Sequence, residues 1–320
     1  MIINVSKTQT SAFSTINEAL EEAKKYIGEP ITIKIDDGIY KEYIEIHQPD
    51  ITFVGNDANK TILTFDNYAK FIMPDGEKRG TFRSMSVFIN APRFSAYNIT
   101  FENNSGPGDI VGQALAAYID SDCSKFVHCR FLGSQDTIFT APLPPTAKEK
   151  NGFRGPKEFE PRNHTRQYFS ECYIEGGVDF IFGSGTAYFD HCEIFCKNEG
   201  KEINSYCTAA STPEGVPFGY VFSECKFTSD CPTESCYLGR PWREFAKTVL
   251  LRCEIGDHIH HEGFHDWDKK EAHETIFYAE YQNYGPGADI TARAPFVKQL
   301  SDSEASKYTL KNVLGDWALN

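Results

Sequence analysis

Short apolar runs alternate along the chain with turns rich in Gly, Asn and Asp, as in residues 31–35, 51–54 and 86–89. Runs of this length, rich in β-branched residues and bounded by turn formers, predict short β-strands. Few helical stretches separate them, which disfavours a fold of alternating strands and helices.

One six-residue pattern, apolar-x-x-Cys-x-apolar, recurs and indicates a repeated structural unit. Its cysteines are Cys129, Cys172, Cys192, Cys225 and Cys253, and an earlier copy has Tyr97 in their place. Short core strands separated by loops of variable length are typical of solenoids. The pattern therefore predicts an all-β fold, a right-handed parallel β-helix, with short capping helices at its ends.

The two ends of such a solenoid need covers, because an open coil exposes unpaired backbone and apolar core. Residues 14–26 are predicted to form one capping helix, with Ser14 as its N-cap. Residues 303–320 are predicted to cover the other end. No low-complexity linker divides the repeats, so a single domain over residues 1–320 is expected.

Five polar residues are spaced to match the repeat: Gln113, Gln135, Asp136, Asp179 and Arg240. Gln113 and Gln135 are 22 residues apart, whereas Asp136 and Asp179 are 43 apart. If residues 141–162, rich in Pro, Lys and Glu, form a loop, the longer interval is also about one coil. Stacked residues lie about 4.8 Å apart, so these side chains are expected to converge. The loop would then cover the cleft or face solvent.

The residue types indicate acyl transfer. Asp179 lies in an apolar run and needs a partner, for which Arg240 is the candidate. A bidentate arginine would keep the pKa of Asp179 low and the carboxylate nucleophilic. Asp136, close to that charge, should retain its proton, while Gln113 and Gln135 could stabilise an oxyanion. A structural ion pair and a turn-capping aspartate remain open as alternatives.

Composition narrows the class of partner. The net charge of −13, from 32 basic and 45 acidic residues, argues against nucleic acid and favours a neutral or partly neutralised substrate. The longest apolar stretches are shorter than the ~20 residues that span a membrane. No secretory signal is visible at the N-terminus, so a cytoplasmic location is expected, or an extracellular one if a leader was removed.

Neither disulfides nor a metal is expected. The repeated cysteines predict a column of buried thiols, with Cys231 and Cys236 as the exceptions most able to pair. The histidines near His258, with His265 and Asp266, suit no standard zinc spacing. No Gly-x-Ser-x-Gly segment is present, which disfavours a serine hydrolase. No metal or other cofactor is therefore predicted.

Four segments resemble the hallmark segments of pectin methylesterases. They are Gln-Ala-Leu-Ala at 113–116, Gly-Ser-Gln-Asp-Thr-Ile at 133–138, Gly-Val-Asp-Phe-Ile-Phe-Gly at 177–183 and Tyr-Leu-Gly-Arg-Pro-Trp at 237–242. Further likeness covers nearly the whole chain in the same order. The resemblance implies a right-handed parallel β-helix and a metal-free carbohydrate esterase.

The resemblance also implies roles. Asp179 is expected to be the nucleophile, Asp136 the general acid and base, Gln113 and Gln135 the oxyanion donors, and Arg240 the group that orients Asp179. Trp242 is expected to line the sugar-binding cleft, with Phe180, Phe139 and Trp267 as further substrate-binding residues. The expected substrate is methyl-esterified homogalacturonan or its oligogalacturonides, attacked at the C6 methyl ester by a monomer.

Three positions depart from the family's usual residues. Gly177 replaces a Thr and predicts a locally flexible strand, while Phe139 replaces a Tyr and Phe264 a Trp.

Alternative functions are an esterase or thioesterase on another acyl substrate, a polysaccharide lyase or glycosidase on the same scaffold, and a non-catalytic relative. A lyase would need Ca²⁺ ligands, and a glycosidase would not need the two glutamines.

Overall fold

Three parallel sheets run along the computed structural model, which describes residues 1–319. Successive coils of the chain add one strand to each sheet in turn, and neighbouring strands are parallel. This arrangement is the predicted parallel β-helix.

The eleven-stranded sheet contains the first strand of most coils. Its members are β1 (Ile2–Val5), β2 (Ile31–Ile35), β5 (Ile51–Gly55), β8 (Ser95–Tyr97), β11 (Ser124–Val127), β14 (Arg166–Ser170), β17 (Thr186–Asp190), β20 (Tyr220–Ser223), β23 (Lys247–Leu251), β25 (Phe277–Tyr281) and β26 (Val297–Gln299).

The eight-stranded sheet follows it around each coil. Its members are β3 (Gly38–Lys41), β6 (Thr61–Phe65), β9 (Thr100–Asn103), β12 (Arg130–Leu132), β15 (Tyr173–Gly176), β18 (Glu193–Cys196), β21 (Lys226–Ser229) and β24 (Glu254–Ile255).

The seven-stranded sheet contains Asp179, and the other four predicted polar residues lie in the segments that adjoin its strands. Its members are β4 (Ile44–Ile46), β7 (Val87–Ile89), β10 (Ala117–Ile119), β13 (Ile138–Thr140), β16 (Val178–Gly183), β19 (Ser205–Ala210) and β22 (Cys236–Gly239).

Equivalent side chains of successive coils stack inside the solenoid. The rings of Phe126, Phe169, Phe189 and Phe222 form a near-parallel column, with centroids 4.4–4.9 Å apart. The five repeated cysteines are buried beside this column. All ten cysteines are free, Cys231 and Cys236 included. The repeat read from the sequence therefore marks the interior of the β-helix, and its thiols pack as small apolar groups.

The corner between the eleven-stranded and eight-stranded sheets is made in the same way in successive coils. One residue there has a left-handed φ of 49–55°: Asn98, His128, Glu171, His191, Glu224, Arg252 and Gln282. A single residue in this conformation turns the chain sharply between strands. The corner repeats with little change, although the loops elsewhere vary in length.

The N-terminal helix covers one end of the solenoid, as predicted. Helix α1 (Ile16–Ala23) buries Ile16, Ala19, Leu20 and Ala23 and continues into a 3₁₀ turn, Lys24–Tyr26. The predicted N-cap, Ser14, is wrong by one residue. Thr15 accepts the bond from the Glu18 N–H, and Glu18 completes a capping box.

The C-terminal segment lies at a different place from the one predicted. Helices α2 (Gly108–Val111), α3 (Asp302–Ala305) and α4 (Leu310–Leu314) complete the helices of the described residues, with 3₁₀ turns at Thr81–Arg83, Lys270–Glu274 and Asp316–Leu319. Val313 and Leu314 pack with Tyr188, Val221 and Val249 on the outer face of the eleven-stranded sheet. That face is apolar, so the segment covers the side of the solenoid and not its end.

The far end is closed instead by residues that precede those helices. Ala272 and Ile276 are buried in the interior cluster, and Phe296 packs against it.

Within residues 1–319, no helix is both long enough and apolar enough to cross a membrane.

Candidate active site

A cavity of about 250 Å³ opens on the outer face of the seven-stranded sheet. Its walls include the five polar residues that the spacing singled out, together with Trp242 and Trp267. The full lining is Thr81, Phe82, Gln113, Gln135, Asp136, Gly152, Asp179, Phe182, Ala209, Arg240, Trp242 and Trp267. The stacking of coils therefore brings these groups to one patch, as predicted.

Strand pairing places the two aspartates in neighbouring coils. β13 pairs with β16 in the register Ile138↔Ile181, and the Asp136 N–H donates to the Val178 carbonyl at 3.0 Å. Both aspartates have left-handed backbone φ values, 64° at Asp136 and 53° at Asp179. The chain turns sharply at a residue in this conformation, as it does at the repeated corners, so both aspartates leave the regular strand geometry.

A bulge in β16 directs Asp179 into the cavity. Val178 pairs with Tyr206 and Ile181 with Thr208, so β16 contains one extra residue opposite β19. The extra residue turns Phe180 inward next to Ile181, and both lie in the interior cluster. The prediction that Phe180 binds substrate is therefore wrong, because its ring is fully buried inside the solenoid.

Arg240 holds the Asp179 carboxylate in a bidentate ion pair. Nε donates to Oδ1 at 2.8 Å and Nη2 to Oδ2 at 2.7 Å. The guanidinium lies over the rings of Tyr206 and Trp267, 3.9 and 3.7 Å from their centroids. Two aromatic faces and two hydrogen bonds therefore fix the orientation of Arg240, and through it that of Asp179.

The environments of the two carboxyl groups differ. Burial and the nearby charge of Asp179 raise the pKa of Asp136 well above its ordinary value, with only Arg240's charge opposing. Burial also raises the pKa of Asp179, although the hydrogen bonds and charge of Arg240 oppose the rise. The expected low pKa of Asp179 is thus wrong, because burial outweighs the arginine. The predicted order stands, since only Asp179 has a bidentate cation to stabilise its charge.

Gln113 and Gln135 also stack one coil apart. The Ala114 N–H donates to the Gln135 carbonyl at 3.0 Å, and the Gln113 carbonyl accepts from the Ala69 N–H at 2.8 Å. These backbone bonds fix the two residues while their side chains line the cavity. Two primary amides thus adjoin the two carboxyl groups.

Aromatic rings form one wall of the cavity. Trp242 lies 6.4 Å from Phe82 and 5.7 Å from Phe182, measured between ring centroids. Phe139 lies beneath them, 4.9 Å from Phe182, and is fully buried. The prediction that Phe139 contacts substrate is wrong, because it supports the wall from below.

The loop over residues 141–162 partly closes this wall. Gly152 lines the cavity, and the buried Phe153 ring lies 5.6 Å from Phe82 and 6.3 Å from Trp242. Phe159, by contrast, is 93% exposed. One part of the loop therefore borders the cleft and another faces solvent, so each of the two expectations holds for part of it.

Several residues around the cavity were not predicted from the sequence: Thr81, Phe82, Gly152, Phe182, Ala209 and Tyr206. Phe182 could have been found, since it lies one residue beyond the inward-facing Ile181 and alternation directs it outward. Phe82 and Gly152 reach the cavity from loops, for which strand periodicity gives no signal.

The histidine-rich segment forms no metal centre among residues 1–319, where no three His, Cys, Asp or Glu side chains are grouped to hold an ion. His261 instead contacts Glu234 at 3.3 Å, and His273 contacts Asp266 at 3.0 Å.

Comparison with known proteins identifies the family. A family model described as Pectinesterase matches residues 2–143 and 162–316. Pectinesterase 31 of Arabidopsis thaliana is 33% identical over 314 residues, which cover 96% of this chain and 90% of that protein. The chain spans only 39–50% of several longer Arabidopsis relatives described as pectinesterase/pectinesterase inhibitors.

Solved structures agree with that match. Pectin methylesterase PemA from Erwinia chrysanthemi superposes with a TM-score of 0.80 at 27% identity, covering 98% of this chain and 97% of that one. A pectin methylesterase in complex with a hexasaccharide superposes with a TM-score of 0.81, at the same identity and coverage. This likeness confirms the right-handed parallel β-helix. The chain belongs to the pectinesterase family.

Proposed function

We propose that this chain is a pectin methylesterase, a carboxylic ester hydrolase that releases methanol from C6 methyl esters of galacturonate units. One observation carries the proposal: two carboxyl groups and two amides line a single cavity, with Arg240 bound to one carboxylate. An ester carbonyl in that cavity would meet a nucleophile, an acid and oxyanion donors together.

In the first step, an Asp179 oxygen attacks the carbonyl carbon of the ester. The carbonyl oxygen becomes an oxyanion, which accepts hydrogen bonds from the side-chain amides of Gln113 and Gln135. The bond from carbon to the methoxy oxygen then breaks, and Asp136 donates its proton so that methanol leaves. The product of this step is an acyl-enzyme, an anhydride between Asp179 and the galacturonate.

In the second step, Asp136 is a carboxylate and acts as general base. It accepts a proton from a water molecule, whose oxygen attacks the galacturonate carbonyl of the anhydride. The anhydride breaks to give ionised Asp179 and a galacturonic acid, which releases its remaining proton to solvent, while Asp136 is again protonated. The arrangement of pKa values suits this cycle, because Asp136 begins protonated and Arg240 favours the charge on Asp179.

The cavity's walls suit a methylated sugar. Trp242, Phe82 and Phe182 offer an apolar surface for the methyl group and the faces of the pyranose ring. The net charge of −13 opposes a fully ionised polygalacturonate, so an esterified substrate fits better. The likeness to a pectin methylesterase in complex with a hexasaccharide supports an oligogalacturonide or homogalacturonan partner.

The alternative activities have less support. A glycosidase needs two carboxylates placed across a glycosidic bond, but here one carboxylate is bound to Arg240 and two amides adjoin the pair. An esterase or thioesterase on another acyl group would use the same catalytic residues, so substrate comparison must separate it from a pectin methylesterase.

Methanol release tests the proposal. The purified protein is assayed on highly methylated pectin, on short methylated oligogalacturonides and, as the control ester, on acetylated xylo-oligosaccharides. We expect methanol from the first two and no acetate from the third. If neither methylated substrate released methanol, the proposal would be overturned. Release of acetate alone would favour an esterase that acts on another acyl group.

Two expectations from the sequence stay predictions. A single domain over residues 1–320 and a monomeric state are proposed here, the first because the eleven-stranded sheet takes strands from both ends of the chain. The cytoplasmic location has no support among the relatives.

A further inference from the structure

Gly177 and Glu199 occupy complementary space behind the site. A Cβ atom added at Gly177 would lie 2.2 Å from Oε1 and 2.6 Å from Cδ of Glu199. The Glu199 side chain is 10% exposed, so its carboxylate fills the volume that a side chain at position 177 would take. The backbone of Gly177 is hydrogen-bonded on both sides, since its N–H donates to the Ser134 carbonyl at 2.7 Å and its carbonyl accepts from Ser205 Oγ at 2.6 Å. The flexibility expected there stays a prediction.

The Glu199 carboxylate is tied to the turn that precedes the predicted catalytic pair. Ser134 Oγ donates to Glu199 Oε1 at 2.8 Å and accepts from the Gly108 N–H at 3.0 Å. The second carboxylate oxygen of Glu199 accepts from Lys201. A continuous hydrogen-bond chain therefore runs from Glu199 through Ser134 to the first residue of α2.

This chain ends against the side chain of Gln135. A Cβ at Gly108 would lie 2.8 Å from Cβ and 3.1 Å from Oε1 of Gln135, so the Gly108 backbone packs directly on that amide side chain. Gln135 also follows Ser134 in the sequence. The position of its amide thus depends on Ser134 from one side and on Gly108 from the other, and Glu199 connects the two.

Glu199 does not line the cavity of the site. It lines a separate groove of about 610 Å³, which shares no lining residue with the catalytic cavity. Lys197, next to it in this groove, donates to the Gly133 carbonyl at 3.0 Å and pairs with Glu175 at 3.1 Å. The segment from Lys197 to Lys201 therefore contacts residues 133–134 from outside the catalytic cavity.

We propose that Glu199 is a positioning residue that holds the Gln135 amide at the developing oxyanion through Ser134 and Gly108. The inference rests on the proposed function, in which Gln135 is an oxyanion donor. This arrangement requires Gly177, because a side chain at position 177 would displace the Glu199 carboxylate. A hydrogen bond to a carboxylate is shorter and stronger than one between neutral groups, which suits a fixed support.

Kinetics of four variants test the inference on a methylated oligogalacturonide. Glu199→Ala and Gly177→Thr are each expected to lower kcat about tenfold with little change in KM, since an amide displaced by a fraction of an ångström loses transition-state contact. Glu199→Gln should keep most activity, because its amide oxygen can accept from Ser134. Glu202→Ala, exposed in the same loop, is the matched control and should equal the wild type.

A double-mutant cycle separates positioning from general support. In a Gln135→Ala background, Glu199→Ala should have almost no further effect on kcat, because the group through which it acts is gone. A full tenfold loss in that background would overturn the inference. So would wild-type kcat in both Glu199→Ala and Gly177→Thr.

Hydrogen exchange provides a readout that does not depend on the reaction. Backbone amides of peptides that contain Gly108 and Gln135 should exchange faster in Glu199→Ala than in Glu202→Ala, while the rest of the β-helix stays unchanged. Unchanged exchange in both peptides would contradict the inference even if the wild type proved inactive on methyl esters. Failure of the proposed function would appear instead as a wild-type protein that releases no methanol from methylated substrates.

Discussion

Asp136 and Asp179 lie in neighbouring coils of the β-helix, and both have a left-handed backbone φ, 64° and 53° respectively. An L-residue in this conformation is held there by its surroundings, here by the strand register and by the bulge in β16. Both carboxyl groups are thereby turned out of the strand pattern into one cavity. The backbone directs both carboxyl groups into the cavity, and the bidentate bond from Arg240 then fixes the orientation of Asp179.

Removing either amide should slow the reaction without disturbing binding. Gln113→Ala and Gln135→Ala are each expected to lower kcat by about 10²–10³-fold, the usual effect of losing one oxyanion donor. Initial rates of methanol release give kcat and KM, with Gln299→Ala on the exposed edge strand as control. A rise in KM with kcat unchanged would show that the amides bind the ground state only.

Replacing Arg240 by Lys should change the pH dependence as well as the rate. Lysine keeps the charge but loses the bidentate bond, so the pKa of Asp179 should rise further and the acidic limb of the kcat profile should move to higher pH. The rate at the optimum should fall about 100-fold. Arg243→Lys, whose guanidinium lies over Trp242, is the control and should leave the limb in place. An unmoved limb in Arg240→Lys would contradict the assigned pair.

Asp136→Asn should make the protein more stable at neutral pH while it removes activity. Because burial and Asp179 raise the pKa of Asp136, the folded protein binds a proton that the unfolded chain releases. That stability is complete below the ordinary aspartate pKa and is lost as pH rises through the folded-state pKa. Asparagine does not titrate, so the variant should gain about 1 kcal/mol at pH 8, with the gain shrinking towards pH 4.

Urea unfolding at several pH values checks this prediction, with Asp109→Asn on the exposed surface as control. A difference in unfolding free energy that stays constant from pH 4 to pH 8 would contradict the raised pKa.

A second buried ion pair, Arg293 with Glu280, should be structural only. The two side chains are 3% and 1% exposed and lie 2.7 Å apart near the C-terminal end of the solenoid. Arg293→Met would leave Glu280 buried without its cation and should cost about 3–5 kcal/mol of unfolding free energy. Lys41→Met, at the exposed pair with Asp66, should change it by less than about 1 kcal/mol. Denaturant midpoints compare the two, and equal effects would contradict the assigned burial.

The sequence predicted those features that repeat once per coil. Phe126, Cys129 and their equivalents carry a short-range pattern, because each coil must fill the same interior space. The spacing of Gln113, Gln135, Asp136 and Asp179 matches one coil per step when residues 141–162 form a loop. Because β10, β13 and β16 pair in register, residues one coil apart lie side by side and their side chains meet at one site.

The predictions from the sequence that were wrong or incomplete concern places where the coil repeat is interrupted. Phe180 points inward because of a one-residue bulge, which a strictly alternating pattern does not anticipate. The prediction that residues 303–320 cover the end of the solenoid is wrong. An apolar helix face does not show in the sequence which apolar surface it packs on, and helix α4 packs on the side of the eleven-stranded sheet. Glu199 was missed because its partner Ser134 lies 65 residues away, and contacts at that distance follow from tertiary structure.

The role of Asp179 as nucleophile is tested by the rate of methanol release by Asp179→Asn on a methylated oligogalacturonide, with the fold verified by circular dichroism. Asparagine keeps the shape of the side chain but lacks a nucleophilic oxygen, so a loss on the order of 10⁴-fold or more is predicted. A correctly folded Asp179→Asn variant that turned over at a rate near that of the wild type would show that Asp179 is not the nucleophile.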